Sequence, residues 1–393
     1  MIFSRLWISY IPPWYARPAL RGLFTISKHQ KYWLGFNRAP GIGPARLGVL
    51  LEVFGDIESA WTASPAKLRA AGLSRKTVEK FVHARDEMDL DAELARLHGL
   101  GYQLLPLDDA GYPEHLAEIH SPPIVLYIWG ELLPQDKVAA AIVGTRRATP
   151  YGKAVARDLA SGLAASGVTV VSGMARGIDG VAHQAALEAG GRTIAVLGSG
   201  LNHLYPPEHR KLASQIAESG AVVSDYPLGT RPEGSNFPPR NRIISGLSLA
   251  VIVVQAGERS GALITSNFAA EQGRDVFAVP GRIYDHGSKG ANRLIGEGAF
   301  PATSVDDVLE VLNLDVIAKA APVALPEDDT ERLVLSSLGS EPIHIDELRA
   351  RCELPIAELT ACLSMLEIRG QARQVGGMHY IRARESRAEY RLG

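Results

Sequence analysis

Five arginines carry the most legible chemistry in this 393-residue chain. Arg146 belongs to Gly144-Thr145-Arg146-Arg147, Arg176 to Ser172-Gly173-Met174-Ala175-Arg176-Gly177, and Arg259 to Gly257-Glu258-Arg259-Ser260-Gly261. Arg240 and Arg242 flank Asn241 in "FPPRNR", which begins at Phe237. Each glycine-containing segment follows an apolar run and precedes a helical one. Small residues there let backbone amides approach a ligand, and the next helix turns its positive end towards it. Guanidiniums at such a rim bind phosphate oxygens in a fork. The expected phosphate-binding set is therefore Gly144, Thr145, Arg146, Ser172, Gly173, Arg176, Phe237, Arg240, Asn241, Arg242, Arg259, Ser260 and Gly261. One or two of the five arginines are expected to pair with Asp179, Asp225 or Glu258 instead. Phe237 has two readings, a ring that stacks on a nucleobase and a ring packed in the core before a Pro-Pro turn.

Other chemistry is poorly represented. There is no G-x-G-x-x-G after the first buried strand and no G-x-x-x-x-G-K-[ST], so dinucleotide and Walker-type sites are not expected. There is also no G-x-S-x-G and no H-E-x-x-H. Asp179 and His183 share a helix face at i,i+4, which reads as a helix-start aspartate beside a packing histidine rather than a metal pair. Two cysteines, Cys352 and Cys362, are too few for a disulfide framework or a four-ligand zinc site and fit a reducing cytoplasm. No catalytic residue, metal or cofactor is expected, and no stretch has the roughly 20 apolar residues that cross a bilayer.

The formal net charge of −2 hides an uneven distribution. Residues 32–130 sum to −4, residues 139–300 to +4 and residues 321–380 to −5. All five arginines lie in the basic middle, which favours an anionic partner there. Residues 1–31 read as a poorly ordered basic leader.

The elements that must position these residues follow from periodicity. Residues 32–100 are helical, and "RAPGIGPARLG" (38–48) has the glycine-x-glycine hairpin of a helix–hairpin–helix, or of an ordinary helical hairpin. "YQLLPLD" (102–108) and "PPIVLYIWG" (122–130) are strand-like. Six further apolar runs begin near 139, 168, 192, 221, 249 and 275, separated by helical segments. Continuous β-branched runs are strands buried on both faces, and their alternation with helices predicts a doubly wound parallel sheet. Residues 317–329 read as a linker. Three helices and a Gly376-Gly377 hairpin over 330–382 make a winged helix, and 383–393 a frayed tail.

At these residues the chain resembles the DNA-processing protein A (DprA/Smf) family. The similarity rests on "GTRRATPYG", "SGMARGIDGVAHQAAL", "TIAVLGSGLNHLYPPEHRKL", "FPPRNRIISGLS", "RSGALITSNFAAEQGRDVFAVPG" and "GANRLIGEGA", in that order over about 140–300. The resemblance implies an α/β protein with an extended Rossmann-like core (101–316), an N-terminal helical SAM/HhH-like domain (32–100) and a C-terminal winged helix. It implies a cytoplasmic, homodimeric, non-enzymatic protein that binds and protects single-stranded DNA and loads the RecA recombinase in natural transformation or recombination. Arg146, Phe237, Arg240 and Arg242 would line the DNA pocket. Asp225 and Gln255 depart from the family's commoner glutamates, and "RPEGSN" lacks a lysine. A nucleotide hydrolase on a related Rossmann-like fold is the alternative, although "RSGALITSNFAAE" lacks that family's Gly-Gly loop. A winged-helix transcription factor ranks lower, because Glu358 and Glu367 oppose only Arg369 on the recognition segment.

Overall fold

The computed structural model describes residues 29–312, 329–339, 342–368, 372–374 and 377–382. Most of the expected leader 1–31 and linker 317–329, Gly376 of the expected hairpin turn and the whole tail 383–393 lie outside the described residues. The chain divides near residue 317 into two compact units.

The first unit begins with α1 (Gln30–Arg38), α2 (Pro44–Phe54), α3 (Ile57–Thr62), α4 (Pro65–Ala70), α5 (Arg75–Glu87) and α6 (Leu90–Gly99). Their starts are set by local chemistry, since the side chains of Asp56, Ser64, Ser74 and Asp89 each accept a backbone N–H of the first turn. Phe36, Trp61 and Phe81 pack ring on ring at the centre, with centroids 5.1, 5.4 and 5.2 Å apart. At the glycine hairpin, Gly41 takes a φ of +82°, and its carbonyl accepts from the Arg46 guanidinium.

Nine strands form one sheet: β1 (Gln103–Pro106), β2 (Val125–Gly130), β3 (Ala139–Val143), β4 (Thr169–Ser172), β5 (Thr193–Val196), β6 (Ala221–Ser224), β7 (Ala250–Val253), β8 (Asp275–Ala278) and β9 (Phe300–Pro301). Their order is β1-β2-β6-β5-β4-β3-β7-β8-β9. β1 runs antiparallel to β2 and β2 antiparallel to β6, while the other neighbours are parallel. Between the strands lie α7 (Glu114–Ala117), α8 (Pro150–Ala165), α9 (Ile178–Glu188), α10 (Arg210–Ser219), α11 (Phe237–Gly246), α12 (Ala262–Glu271), α13 (Lys289–Gly296) and, after β9, α14 (Val305–Val311).

Both faces of the central strands are covered, as their continuous apolar runs require. Ala139, Ala141 and Val143 of β3 join one core with Ile243 and Ile244 of α11, whereas Ala140 and Ile142 join another with Leu159 and Leu163 of α8. The two-residue strand period thus feeds two cores at once, each buried Val or Ile side chain contributing about 1.5–3 kcal/mol. β3 is the switch point, because the chain leaves it towards β4 on one side and later returns as β7 on the other. Open α/β sheets bind ligands beyond the carboxyl ends of the strands at such a point.

The N-terminal helices share one apolar core with this sheet and add polar contacts to it. The Tyr127 hydroxyl donates to Asn37 Oδ1 at 2.9 Å, and Asn37 Nδ2 donates to the Asp225 carbonyl at 3.2 Å. The second unit contains α15 (Asp329–Ser337), α16 (Ile345–Cys352), α17 (Ile356–Ile368) and a small sheet of β10 (Ile343–His344), β12 (His379–Arg382) and β11 (Ala372–Gln374), in that order. Val334, Leu348, Leu359, Leu363 and Leu366 fill its own core, the arrangement of a winged helix. Among the described residues, no helix is long and apolar enough to cross a membrane.

Candidate nucleic-acid interface

A cavity of about 720 Å³ opens at the carboxyl edge of the sheet, where β3 and β7 part. The loop after β3 supplies Gly144, Thr145, Arg146 and Arg147, the loop after β7 supplies Ser260 and Gly261, and α11 supplies Phe237, Arg240 and Asn241. Residues separated by more than a hundred positions thus meet because the sheet order places their loops side by side.

The loop after β3 is fixed from below. Thr145 N–H donates to the Gln255 carbonyl at 2.7 Å, and Gln255 Oε1 accepts from Thr149 N–H at 3.0 Å. A Cβ on Gly144 would come within 2.5 Å of Ile178, and Gly177, with φ +80°, would place one 2.3 Å from the Thr145 carbonyl. Only glycine allows this approach, which leaves Arg146 exposed above the cavity.

Phe237 forms one wall. The Arg146 Cζ lies 5.2 Å from its ring centroid and the Arg240 Cζ 6.0 Å, so two cations approach a half-buried ring. Tyr205 adds a second aromatic, 5.9 Å from Phe237 between centroids, and Arg176 lies 5.9 Å from the Tyr205 centroid. Sequence reasoning did not single out Tyr205. The signal was present, because Tyr205-Pro206-Pro207 repeats the aromatic-Pro-Pro pattern of Phe237-Pro238-Pro239.

The arginines divide into three groups. Arg146 is exposed and among the described residues makes no ion pair, so it presents its charge to the cavity. Arg240 lies in the cavity wall yet is only 4 % exposed. Its Nη1 donates to the Gly173 carbonyl at 2.7 Å and also to the Val196 carbonyl, closing the ends of β4 and β5, while Nε donates to Asn241 Oδ1 at 3.3 Å. Burial pulls the Arg240 guanidinium down to about 10, with the Asp179 carboxylate working against that.

The expectation for Arg242 needs correction. It bonds Asp225 Oδ2 at 2.8 Å and the Ser121 carbonyl, away from the cavity, because residues two apart on a helix point about 200° apart. Arg176 pairs with Glu208, and neither it nor Arg259, which is exposed on the loop after β7, lines the cavity. Ser172 is buried and donates to the Ile142 carbonyl at 2.6 Å, so it is framework, and Gly173 contributes its carbonyl to Arg240.

Asp179 is the carboxylate of the cavity wall. Its Oδ2 accepts from Ala175 N–H at 3.2 Å, and burial pushes its pKa up to about 6 despite the Arg240 charge. His183, one turn on, is fully buried, with Nδ1 at 2.7 Å from Thr193 Oγ1, and burial pulls it down to about 3. Thr193 Oγ1 donates to the Val170 carbonyl, so the neutral ring donates to it as a packing histidine. Among the described residues, no group of three possible metal ligands assembles.

The Asp179 shift carries a sign. Its folded pKa exceeds the unfolded 3.8, so its contribution to stability is full below 3.8 and is lost as pH rises through about 6. Protonation also removes the negative charge facing an anionic ligand. Oligothymidylate affinity is therefore expected to rise a few-fold between pH 7.5 and pH 5.5, about a unit and a half on the unfavourable and half a unit on the favourable side of the shifted pKa. Fluorescence anisotropy of wild type and Asp179→Asn checks this. The same pH dependence in the Asp179→Asn variant as in wild type would refute it.

The profile described as DNA recombination-mediator protein A matches residues 103–313, and that of the DprA winged helix domain matches residues 318–378. Protein Smf of Synechocystis is 37 % identical over 395 residues, covering 91 % of this chain and 99 % of that protein. The DNA processing protein DprA of Bacillus subtilis is 41 % identical, covering 64 % of this chain and 83 % of that one. Among solved structures, DprA of Streptococcus pneumoniae aligns with a TM-score of 0.64 and 35 % identity over 71 % of this chain and 97 % of its own. DprA of Helicobacter pylori, solved for its single-stranded DNA binding mode, aligns with a TM-score of 0.50 and 32 % identity over 55 % of this chain and 97 % of its own.

Proposed function

This chain belongs to the DNA recombination-mediator protein A (DprA/Smf) family, and from that premise we propose that it binds single-stranded DNA at the cavity between β3 and β7. The observation that carries the reading is Arg146 set 5.2 Å from the Phe237 ring at the mouth of that cavity. A guanidinium for a phosphate beside a ring for a base is the minimal unit of sequence-tolerant strand binding.

Single strands fit better than duplex, because the ring must reach an unstacked base. The role is capture and delivery without turnover: protection of the strand and its presentation to a RecA-type recombinase by a cytoplasmic homodimer. In support, the carboxylate of the cavity wall, Asp179, is buried, accepts from the Ala175 amide and lies beside the Arg240 charge, a structural setting for it. A nucleotide-release assay showing measurable turnover would overturn that part.

Gel shifts with single- and double-stranded oligonucleotides of one sequence test the binding. Wild type is expected to prefer the single strand, and Arg146→Ala to lose about 10-fold in affinity, the effect of one charge-assisted contact. The logarithmic salt slope should fall by about 0.7 in that variant, the value for one phosphate on a single strand. Equal binding to both DNA forms, or an unaffected Arg146→Ala, would remove the proposal.

A further inference from the structure

A second concavity, of about 520 Å³, lies directly beside the first, among α8, α9 and α10. Its lining includes Lys153, Arg157, Gly177, Gly180, His209 and Lys211. Lys153 and Lys211 sit in the first turns of α8 and α10, and Gly177 caps α9. Lys153 and Arg157, Gly180 and Gln184, and Lys211 and Gln215 lie one turn apart, so the groove runs along the flanks of the three helices.

The two concavities adjoin at Gly177. That glycine lines the second one, yet a Cβ on it would come within 2.8 Å of the Arg146 carbonyl group at the rim of the first. The divide is thus backbone without a side chain. Arg176 and Glu208 lie along the same border as an ion pair, Arg176 leaning over Tyr205 of the first cavity and Glu208 lining the second.

The charge in the groove is sorted. Arg157 is bonded to Glu188 at 2.6 Å and Arg176 to Glu208, so those guanidiniums are already balanced. Lys153 and Lys211 are exposed and among the described residues make no ion pair, so they supply the net positive charge. Among the described residues no Phe, Tyr or Trp lines the groove, and its one imidazole, His209, is held by the Met174 carbonyl at 2.9 Å, whereas Phe237 and Tyr205 line the neighbouring cavity. A surface with cations and no such rings holds a phosphodiester backbone and not its bases, and flexible ammonium groups suit a chain read without sequence.

We propose that this groove is an extension of the DNA site, in which Lys153 and Lys211 hold the sugar–phosphate backbone of nucleotides that have passed the stacking pocket over Gly177. The inference rests on the pocket reading above, and it assigns the two concavities different parts of one strand.

Oligothymidylates of about 4 and about 20 nucleotides, at the lower end of and beyond common single-strand site sizes, separate them. The double variant Lys153→Gln with Lys211→Gln is expected to bind the long strand about 10-fold more weakly at low salt. Its logarithmic salt slope for that strand should fall by about 1.4, two phosphates at about 0.7 each. Affinity for the short strand should equal that of wild type. An unchanged slope for the long strand, or an equal loss for both lengths, would overturn the groove. Inorganic phosphate at millimolar level that abolished the long-strand advantage in wild type but not in a salt-matched control would assign the lysines to a free anion and also overturn it. Arg146→Ala, measured in parallel, is expected to lose both lengths. If it loses neither, the pocket reading has failed, whatever the lysines show.

Discussion

Arg240→Ala is expected to destabilise the first unit by about 3–5 kcal/mol, the cost of removing one partner from a buried charged network. The side chain is 4 % exposed and satisfies the carbonyls of Gly173 and Val196 while facing the Asp179 carboxylate. Alanine leaves both carbonyls without their donor and the carboxylate without its counter-charge, and it opens a void at the root of the cavity. Urea denaturation followed by far-UV circular dichroism measures the loss. Arg240→Lys should recover only part of it, because one ammonium cannot reproduce the guanidinium fork. A loss below about 1 kcal/mol for alanine would mean that water replaces the guanidinium, and the framework role would fall.

Phe237→Ala is the second large effect, and it decides between the two readings that the sequence left open. As a stacking ring, Phe237 contributes about 1–3 kcal/mol per base, so its removal should weaken oligothymidylate binding by about 5- to 150-fold. The ring is half-buried, with Tyr205 and Arg146 against it and Gly198 beneath, where a Cβ would lie 2.8 Å from Cδ1. The melting temperature should therefore change little and Phe237→Trp should retain binding. The reverse pattern, a large loss of stability with intact affinity in the folded fraction, would make the ring a core residue.

The fold was legible where local chemistry decides it. The β-branched runs gave the strands, whereas residues 32–100 were read only as helical and their caps at Asp56, Ser64, Ser74 and Asp89 were not singled out. β9, two residues long and containing Pro301, carries no run to read. The sheet order was not legible either, since the attachment of β1 and β2 beyond β6 depends on pairings far apart in sequence.

The site was legible as composition but not as geometry. Arg146, Phe237, Asn241 and Ser260 do meet. Arg240 and Arg242 looked equivalent, as neighbours in charge and position. Their separation is a matter of helix phase, which "FPPRNR" could have supplied had α11 been placed to begin at Phe237. The burial of Arg240 could not be read at all, because its acceptors stand 67 and 44 positions away. Asp225, one of the carboxylates expected to pair with an arginine, forms that ion pair with Arg242 at 2.8 Å.

The bond from Arg240 to the ends of β4 and β5 also bears on time. It ties α11, and with it Phe237, to two strands of a sheet covered on both faces, so the cradle has its shape before any ligand arrives. On the proposed single-strand reading, docking requires little rearrangement of the protein and the encounter rate varies little from one strand to another. Differences among bound strands accordingly appear as differences in how long each one stays.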